Sequence, residues 1–272
     1  MEPIKEALQR ARQERELQAT PHQGPRRRRS AATPASVHQV EYVHTRTIPV
    51  TQETLRAQRV VAQDAGEPMA DAYKLLRTRV LQNMRQNHWN SLAITSPAQG
   101  QGKTLTSVNL AVSLAAEVNQ TVLLVDLDLR RPQLHNLFGV SPQIGLHDYI
   151  ENDAELSTVL FNPGIERLVV LPNGKSYSRS SEMLSSPKMV DLIDELKSRY
   201  PNRFVIFDLP PLLAADDVLT FLPHIDAVLL VVEERKTLRG DVKRSLDLLA
   251  NANLIGTVLN NSSDSNQGYY YY

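Results

Sequence analysis

Residues 91–114 read SLAITSPAQGQGKTLTSVNLAVSL, and this stretch decides the fold. It opens as a short apolar strand (Leu92, Ala93, Ile94, Thr95), continues through a glycine-bearing loop to Gly102-Lys103-Thr104, and closes on the helical periodicity of Val108, Leu110, Val112 and Leu114. A strand feeding such a loop and helix builds a phosphate cradle. Gly100 and Gly102 let the backbone approach an anion, and the first helical turn offers unpaired N–H groups at the positive end of the dipole. Gly100, Gln101, Gly102, Lys103, Thr104 and Leu105 form the candidate nucleotide-binding run, with Lys103 on the outer phosphates and the Thr104 hydroxyl on magnesium. The strict pattern G-x-x-x-x-G-K-[ST] is not met, because Pro97 stands where its first glycine belongs. The alternative is a glycine-rich turn with a surface lysine, and two later stretches weigh against it.

The first is Thr121–Asp126 (TVLLVD), an apolar strand ending in a carboxylate, with Asp128, Arg130 and Arg131 just beyond. The second is Arg203–Asp208 (RFVIFD), which also ends in a carboxylate and runs into Leu209, Pro210 and Pro211. Further strands are expected at 167–171, 225–232 and 254–260, with helices at 67–87, within 181–200, at 217–222 and at 238–250. Residues 132–164 read as loop and short helix. Fully apolar strands alternating with helices give an α/β fold, a mostly parallel twisted sheet covered on both faces. Ligands in such sheets lie at the carboxyl ends of the strands, where Asp126 and Asp208 fall. A carboxylate there can be a mere helix cap or turn former. Grouped around one phosphate loop, Thr104, Asp126, Asp128 and Asp208 instead supply the oxygen ligands of a magnesium–triphosphate site.

At 272 residues and 42% hydrophobic content the chain can bury one full α/β core. Its formal net charge of zero gives no field that would favour nucleic acid as a partner. It contains no cysteine, which excludes disulfides, thiolate metal sites and cysteine nucleophiles. No apolar run approaches the roughly 18 to 20 residues of a membrane span, so a cytoplasmic location is expected. Residues 1–64 are expected to be a flexible basic segment containing Arg26–Arg29, which serves as a solvated linker or touches a polyanion. Within it, residues 37–50 add an edge strand or bind a partner. At the other end, polar residues from 262 deliver Tyr269, Tyr270, Tyr271 and Tyr272, which cannot all face a core and are presented instead as phosphate acceptors or as a sticky tail. In the 67–87 helix, Asp71, Lys74 and Arg77 share one face, the ordinary wet side of a helix.

The stretches SPAQGQGKT, VLLVDLDLRRP and FVIFDLPP resemble the Walker A, Walker A′ and Walker B motifs of the bacterial tyrosine kinases of polysaccharide synthesis. The resemblance implies a P-loop tyrosine kinase domain over 65–261, using ATP and Mg²⁺ and phosphorylating the terminal tyrosines of the next subunit. It implies a ring-like homo-oligomer controlling exopolysaccharide or capsule synthesis and export, and the charge that phosphates add to adjacent tyrosines predicts that this oligomer dissociates on phosphorylation. By residue, it puts Lys103 and Thr104 on phosphates and metal, makes Asp208 the Walker B acid, and makes Asp126 and Asp128 the paired Walker A′ acids. Asp126 is then the candidate to help deprotonate tyrosine, and Asn260 matches a position that contacts adenine. Asp71, Lys74 and Arg77 stand where the family carries a Glu-x-x-Arg-x-x-Arg oligomerisation pattern, and lysine is not equivalent to arginine in bidentate pairing. With no anchor of its own in sequence, the chain resembles the split arrangement, in which a chain-length-determinant type membrane protein recruits the kinase to the inner face of the membrane. Two other readings stand beside it. One is a partition or division-site ATPase, which carries a signature lysine where this chain has Ala98. The other is a nucleotide-binding assembly module without turnover.

Overall fold

In a computed structural model, residues 45–263 are described, apart from 65, 118, 178, 201 and 215. The strands are β1 (Arg46–Thr47), β2 (Ser91–Thr95), β3 (Thr121–Asp126), β4 (Phe161–Asn162), β5 (Leu168–Leu171), β6 (Arg203–Asp208), β7 (Ala227–Glu233) and β8 (Leu254–Asn260). They form one sheet in the order β1-β4-β5-β3-β6-β2-β7-β8, parallel throughout except where β4 meets β5. The helices are α1 (Gln52–Ala57), α2 (Pro68–Asn87), α3 (Lys103–Ala115), α4 (Leu134–Leu137), α5 (Leu146–Asn152), α6 (Leu156–Val159), α7 (Ser180–Leu184), α8 (Pro187–Ser198), α9 (Asp217–Phe221) and α10 (Arg239–Leu248).

Side chains alternate across each strand, so the sheet builds two cores. Val122 and Leu124 of β3, with Phe204 and Ile206 of β6, pack into the layer of α2 and α3. Leu123, Val125, Val205 and Phe207 point the other way, into the layer of α8 and α9. Each such side chain, removed fully from water, contributes about 1.5–3 kcal/mol, which is why these strands carry no polar face. The helix that follows the glycine loop is the most enclosed: Lys103 and every residue from Thr106 to Ala115 are buried.

The packed unit starts earlier than residue 65. Of the segment expected to be flexible, β1 pairs with β4 as an edge strand, and Leu55, Val60 and Ala62 enter the first core. The fully buried Asn109 of α3 fixes this segment. Its Oδ1 accepts from the backbone N–H groups of Val61 (2.9 Å) and Ala62 (3.1 Å), and its Nδ2 donates to the carbonyls of Arg59 and Leu105 (both 3.1 Å). Residues 1–44, with the arginine run, lie outside the described residues, as do the four terminal tyrosines.

Candidate active site

The sheet order places the three sequence signals side by side. β6 lies between β2, which feeds the glycine loop, and β3, and the register sets Asp208 opposite both Ile94 and Asp126. The loop leaves β2 with Gly100 (φ 75°) and Gly102 (φ 87°) left-handed, a conformation that glycine adopts without strain. A Cβ on Gly102 would stand 1.9 Å from Asn260 Nδ2, so the position admits only glycine while Asn260 holds its place. The Asn260 amide donates to the Gln101 carbonyl at 3.0 Å, tying the end of β8 to the loop. Pro97 is tolerated because only its carbonyl is used, accepting from Leu213 N–H at 3.2 Å. Gly102 caps α3 with no side-chain hydrogen bond, and no acid stands in the first turn. That end of the helix keeps its donors and positive dipole for an anion.

Lys103, Thr104 and the three acids converge there. Lys103 Nζ donates to Asp128 Oδ2 at 2.7 Å and to Thr104 Oγ1 at 3.2 Å, and lies 3.8 Å from Asp208 Oδ2. Burial pulls the lysine pKa down, but Asp208 and Asp128 outweigh it and hold the ammonium above its ordinary value. Asp126 is wholly enclosed, and its oxygens accept from the N–H groups of Asp128 (3.2 Å) and Leu134 (3.1 Å). Burial, reinforced by the charge of Asp208, raises its carboxyl well above the usual range against the Leu134 bond and Lys103. Asp208 is raised by burial, with Lys103 and the nearby Thr104 hydroxyl opposing.

One atom in this cluster is left over. Asp208 Oδ1 accepts from the Ser107 hydroxyl at 3.0 Å, whereas Oδ2, buried, has no hydrogen-bond partner among the described residues. An orphaned carboxylate oxygen near a threonine hydroxyl, beside an uncapped helix start, fits a hard cation travelling with phosphates. Among the described residues no group of three or more acids or histidines could cage an ion alone. Magnesium at a triphosphate needs no cage, being held by one or two protein oxygens, phosphates and water.

Comparison with known proteins agrees with this geometry. Residues 90–252 match the AAA domain family AAA_31. CapB of Staphylococcus aureus is 30% identical over 207 residues, covering 75% of this chain and 90% of CapB. The tyrosine-protein kinase YwqD of Bacillus subtilis is 31% identical over 206 residues, covering 74% of this chain and 86% of YwqD. The solved kinase domain of the Escherichia coli tyrosine kinase ETK matches with a TM-score of 0.70 at 28% identity, over 86% of this chain and 94% of that domain. The chain belongs to the bacterial tyrosine kinases. It spans 28% of the length of full E. coli Etk. The septum site-determining protein MinD of Pyrococcus horikoshii, solved with Mg-ADP, is more distant, with a TM-score of 0.52 at 27% identity over 62% of this chain and 69% of MinD.

Elsewhere in this kinase the candidate residues are arranged unevenly. Leu105 packs against the first core, leaving only its backbone to face a nucleotide. On α2, Lys74 pairs with Asp71 at 2.8 Å in the open, but Arg77 turns inward to the Ser113 carbonyl (3.0 Å) and Glu117 (3.2 Å). The three do not form one exposed row. Sequence reading missed Ser107 and Lys236. Ser107 was detectable as a polar residue one turn past Lys103 in an apolar helix. Lys236, whose Nζ donates to the Gly100 carbonyl at 2.9 Å, sits in a loop with no local signal. No helix among the described residues is long and apolar enough to cross a membrane.

Proposed function

We propose that this kinase binds Mg-ATP in the Gly100–Thr104 loop and transfers the γ-phosphoryl group to the tyrosines at 269–272 of a neighbouring copy. The observation that carries the reading is the single cluster of Lys103, Asp128 and Asp208 at the uncapped start of α3. Thr104 and Asp208 Oδ2 would hold magnesium, with Asp126 behind them, and bound magnesium would neutralise charge on the β- and γ-phosphates. Lys103, drawn toward the triphosphate, gives up its bond to Asp128. Asp128 is then free to accept a hydrogen bond from the incoming tyrosine hydroxyl, whose pKa near 10 calls for an acceptor during attack. That role fits Asp128 better than Asp126, because both Asp126 oxygens already serve backbone N–H groups. Asn260, at the loop rim, would contact the adenine.

The same reading extends to assembly. The subunits would form a ring-like homo-oligomer through the exposed Asp71 and Lys74 of α2, loosened by phosphorylation, with Arg77 bracing α2 against α3. A membrane activator of the chain-length-determinant type would hold the kinase at the inner face of the membrane, in the service of exopolysaccharide or capsule synthesis. The packing of the 46–64 segment supports starting the kinase domain at about residue 45, with the proposed end at 261 and the tyrosine tail beyond it.

Incubating the purified chain with labelled Mg-ATP and mapping the product by mass spectrometry tests this. Phosphotyrosine at 269–272 is expected, and Lys103→Met should abolish it while leaving the circular dichroism spectrum unchanged. Phosphate release without phosphotyrosine would point instead to an ATPase switch, and binding alone to an assembly module.

A further inference from the structure

Ser107 lies one helical turn beyond Lys103 on α3 and is fully buried. Its Oγ stands 3.0 Å from two acceptors, the Lys103 carbonyl four residues back and Asp208 Oδ1 on the neighbouring strand. One hydroxyl carries one proton and cannot serve both. An ionised carboxylate is the stronger acceptor, and a hydrogen bond to it is roughly twice as strong as one to a neutral carbonyl. A buried helical serine ordinarily gives its proton to the i−4 carbonyl, and that bond alone has no bearing on a site. Here the second acceptor is the acid at the centre of the cluster, and the division of labour between its oxygens is complete. Oδ1 is satisfied by Ser107, and Oδ2 is left without a hydrogen bond, 3.8 Å from Lys103 Nζ.

We propose that Ser107 is a positioning residue: by donating to Asp208 Oδ1 it fixes the rotation of the carboxylate and keeps Oδ2 directed at the cation that accompanies the nucleotide. The proposal rests on the nucleotide-site reading above. Without the hydroxyl, the carboxylate can turn either oxygen toward Lys103 or Thr104, and the cation loses an oriented ligand. Groups that orient a metal ligand in this way are worth about 10- to 100-fold in metal affinity.

The test uses the full chain and a fluorescent ADP analogue, titrated with MgCl₂ and, separately, with the analogue alone in EDTA. Ser107→Ala removes one oxygen and raises helix propensity, so the fold is retained. The expected result is a rise of about 10-fold or more in the Mg²⁺ concentration at half-saturation. Affinity in EDTA should stay at the wild-type value, and Ser107→Thr, which restores a hydroxyl, should bring the magnesium dependence back toward wild type. A Ser107→Ala protein whose magnesium dependence matches wild type overturns the proposal. So does an equal loss of affinity with and without magnesium, which would mark a purely structural serine. Wild-type binding that ignores magnesium altogether would instead overturn the nucleotide-site reading, and Ser107's role with it.

Discussion

Lys103, Asp126, Asp128 and Asp208 share a volume from which water is nearly excluded, so their interactions exceed those of surface pairs and outlast added salt. Burial first, and the crowding of three acids around one ammonium second, push the carboxyls of Asp126 and Asp208 above the usual range. An acid with a raised folded pKa holds its proton more tightly in the folded protein. It therefore erodes stability as pH climbs above the unfolded value near 3.9 and has no effect well below it. Asp208→Asn removes one such acid and a like charge beside Asp126, leaving the 2.7 Å bond between Lys103 and Asp128. The variant should melt above wild type at pH 8 in metal-free buffer, by about 2–4 °C for each kcal/mol relieved. The gap should close as pH falls toward about 4. His135, whose pKa burial lowers, costs stability as pH falls below its unfolded value, but equally in both proteins, so it cancels in the difference. Melting curves across that pH range decide the matter, and a gap independent of pH would refute the argument. Phosphotyrosine formation should vanish in the same variant, since the site gains stability by losing its function.

Elements were legible where one physical signal dominated. β3, β6 and β8 were read to their last residues because an apolar run stops at a polar group. The convergence of Asp126 and Asp208 on the phosphate loop was legible too, since parallel strands present their carboxyl ends together. Where two signals overlapped, the reading blurred. The helix expected within 181–200 is α8, which begins where the Ser186 hydroxyl accepts from Met189 N–H and Pro187 opens the first turn, but the short α7 just before it gave no separate signal. β4 is two residues long and has no period to detect. An edge strand within 37–50 was legible and is β1, but the rest of the segment, 51–64, was read as flexible because its order comes from a distant partner. Asn109 supplies four hydrogen bonds to backbone groups at 59–62 and 105, and nothing local announces them. Asn109→Ala would strand two buried donors and an acceptor, at a cost of about 2–4 kcal/mol. Urea unfolding should show that loss, and trypsin should cleave after Arg56 and Arg59 earlier than in wild type. A variant as stable and as resistant as wild type would mean that Leu55, Val60 and Ala62 hold the segment by apolar contact alone.

At the scale of the whole molecule, the reaction itself turns a tail of neutral tyrosines into one that the acidic site repels. β8 ends at Asn260, hydrogen-bonded to the phosphate loop, so the chain leaves the domain beside the site. The residues from there to Tyr269 can span at most about 30 Å when fully extended. Unmodified tyrosines are neutral and enter an acidic pocket without penalty. Each transferred phosphate adds about 1.5 to 2 negative charges. Four adjacent phosphotyrosines would then repel one another and the acids at 126, 128 and 208, and the tail would be expelled from a neighbour's site. If tail insertion helps hold copies together, phosphorylation must shift the equilibrium toward smaller species. Mass photometry of wild type should therefore show a fall in mean mass after Mg-ATP is added. A variant with Tyr269–Tyr272 all changed to phenylalanine keeps the aromatic bulk but accepts no phosphate, and it should remain assembled under the same conditions. If that variant dissociates as wild type does, nucleotide binding rather than tail charge drives disassembly, and the electrostatic account of the tail fails.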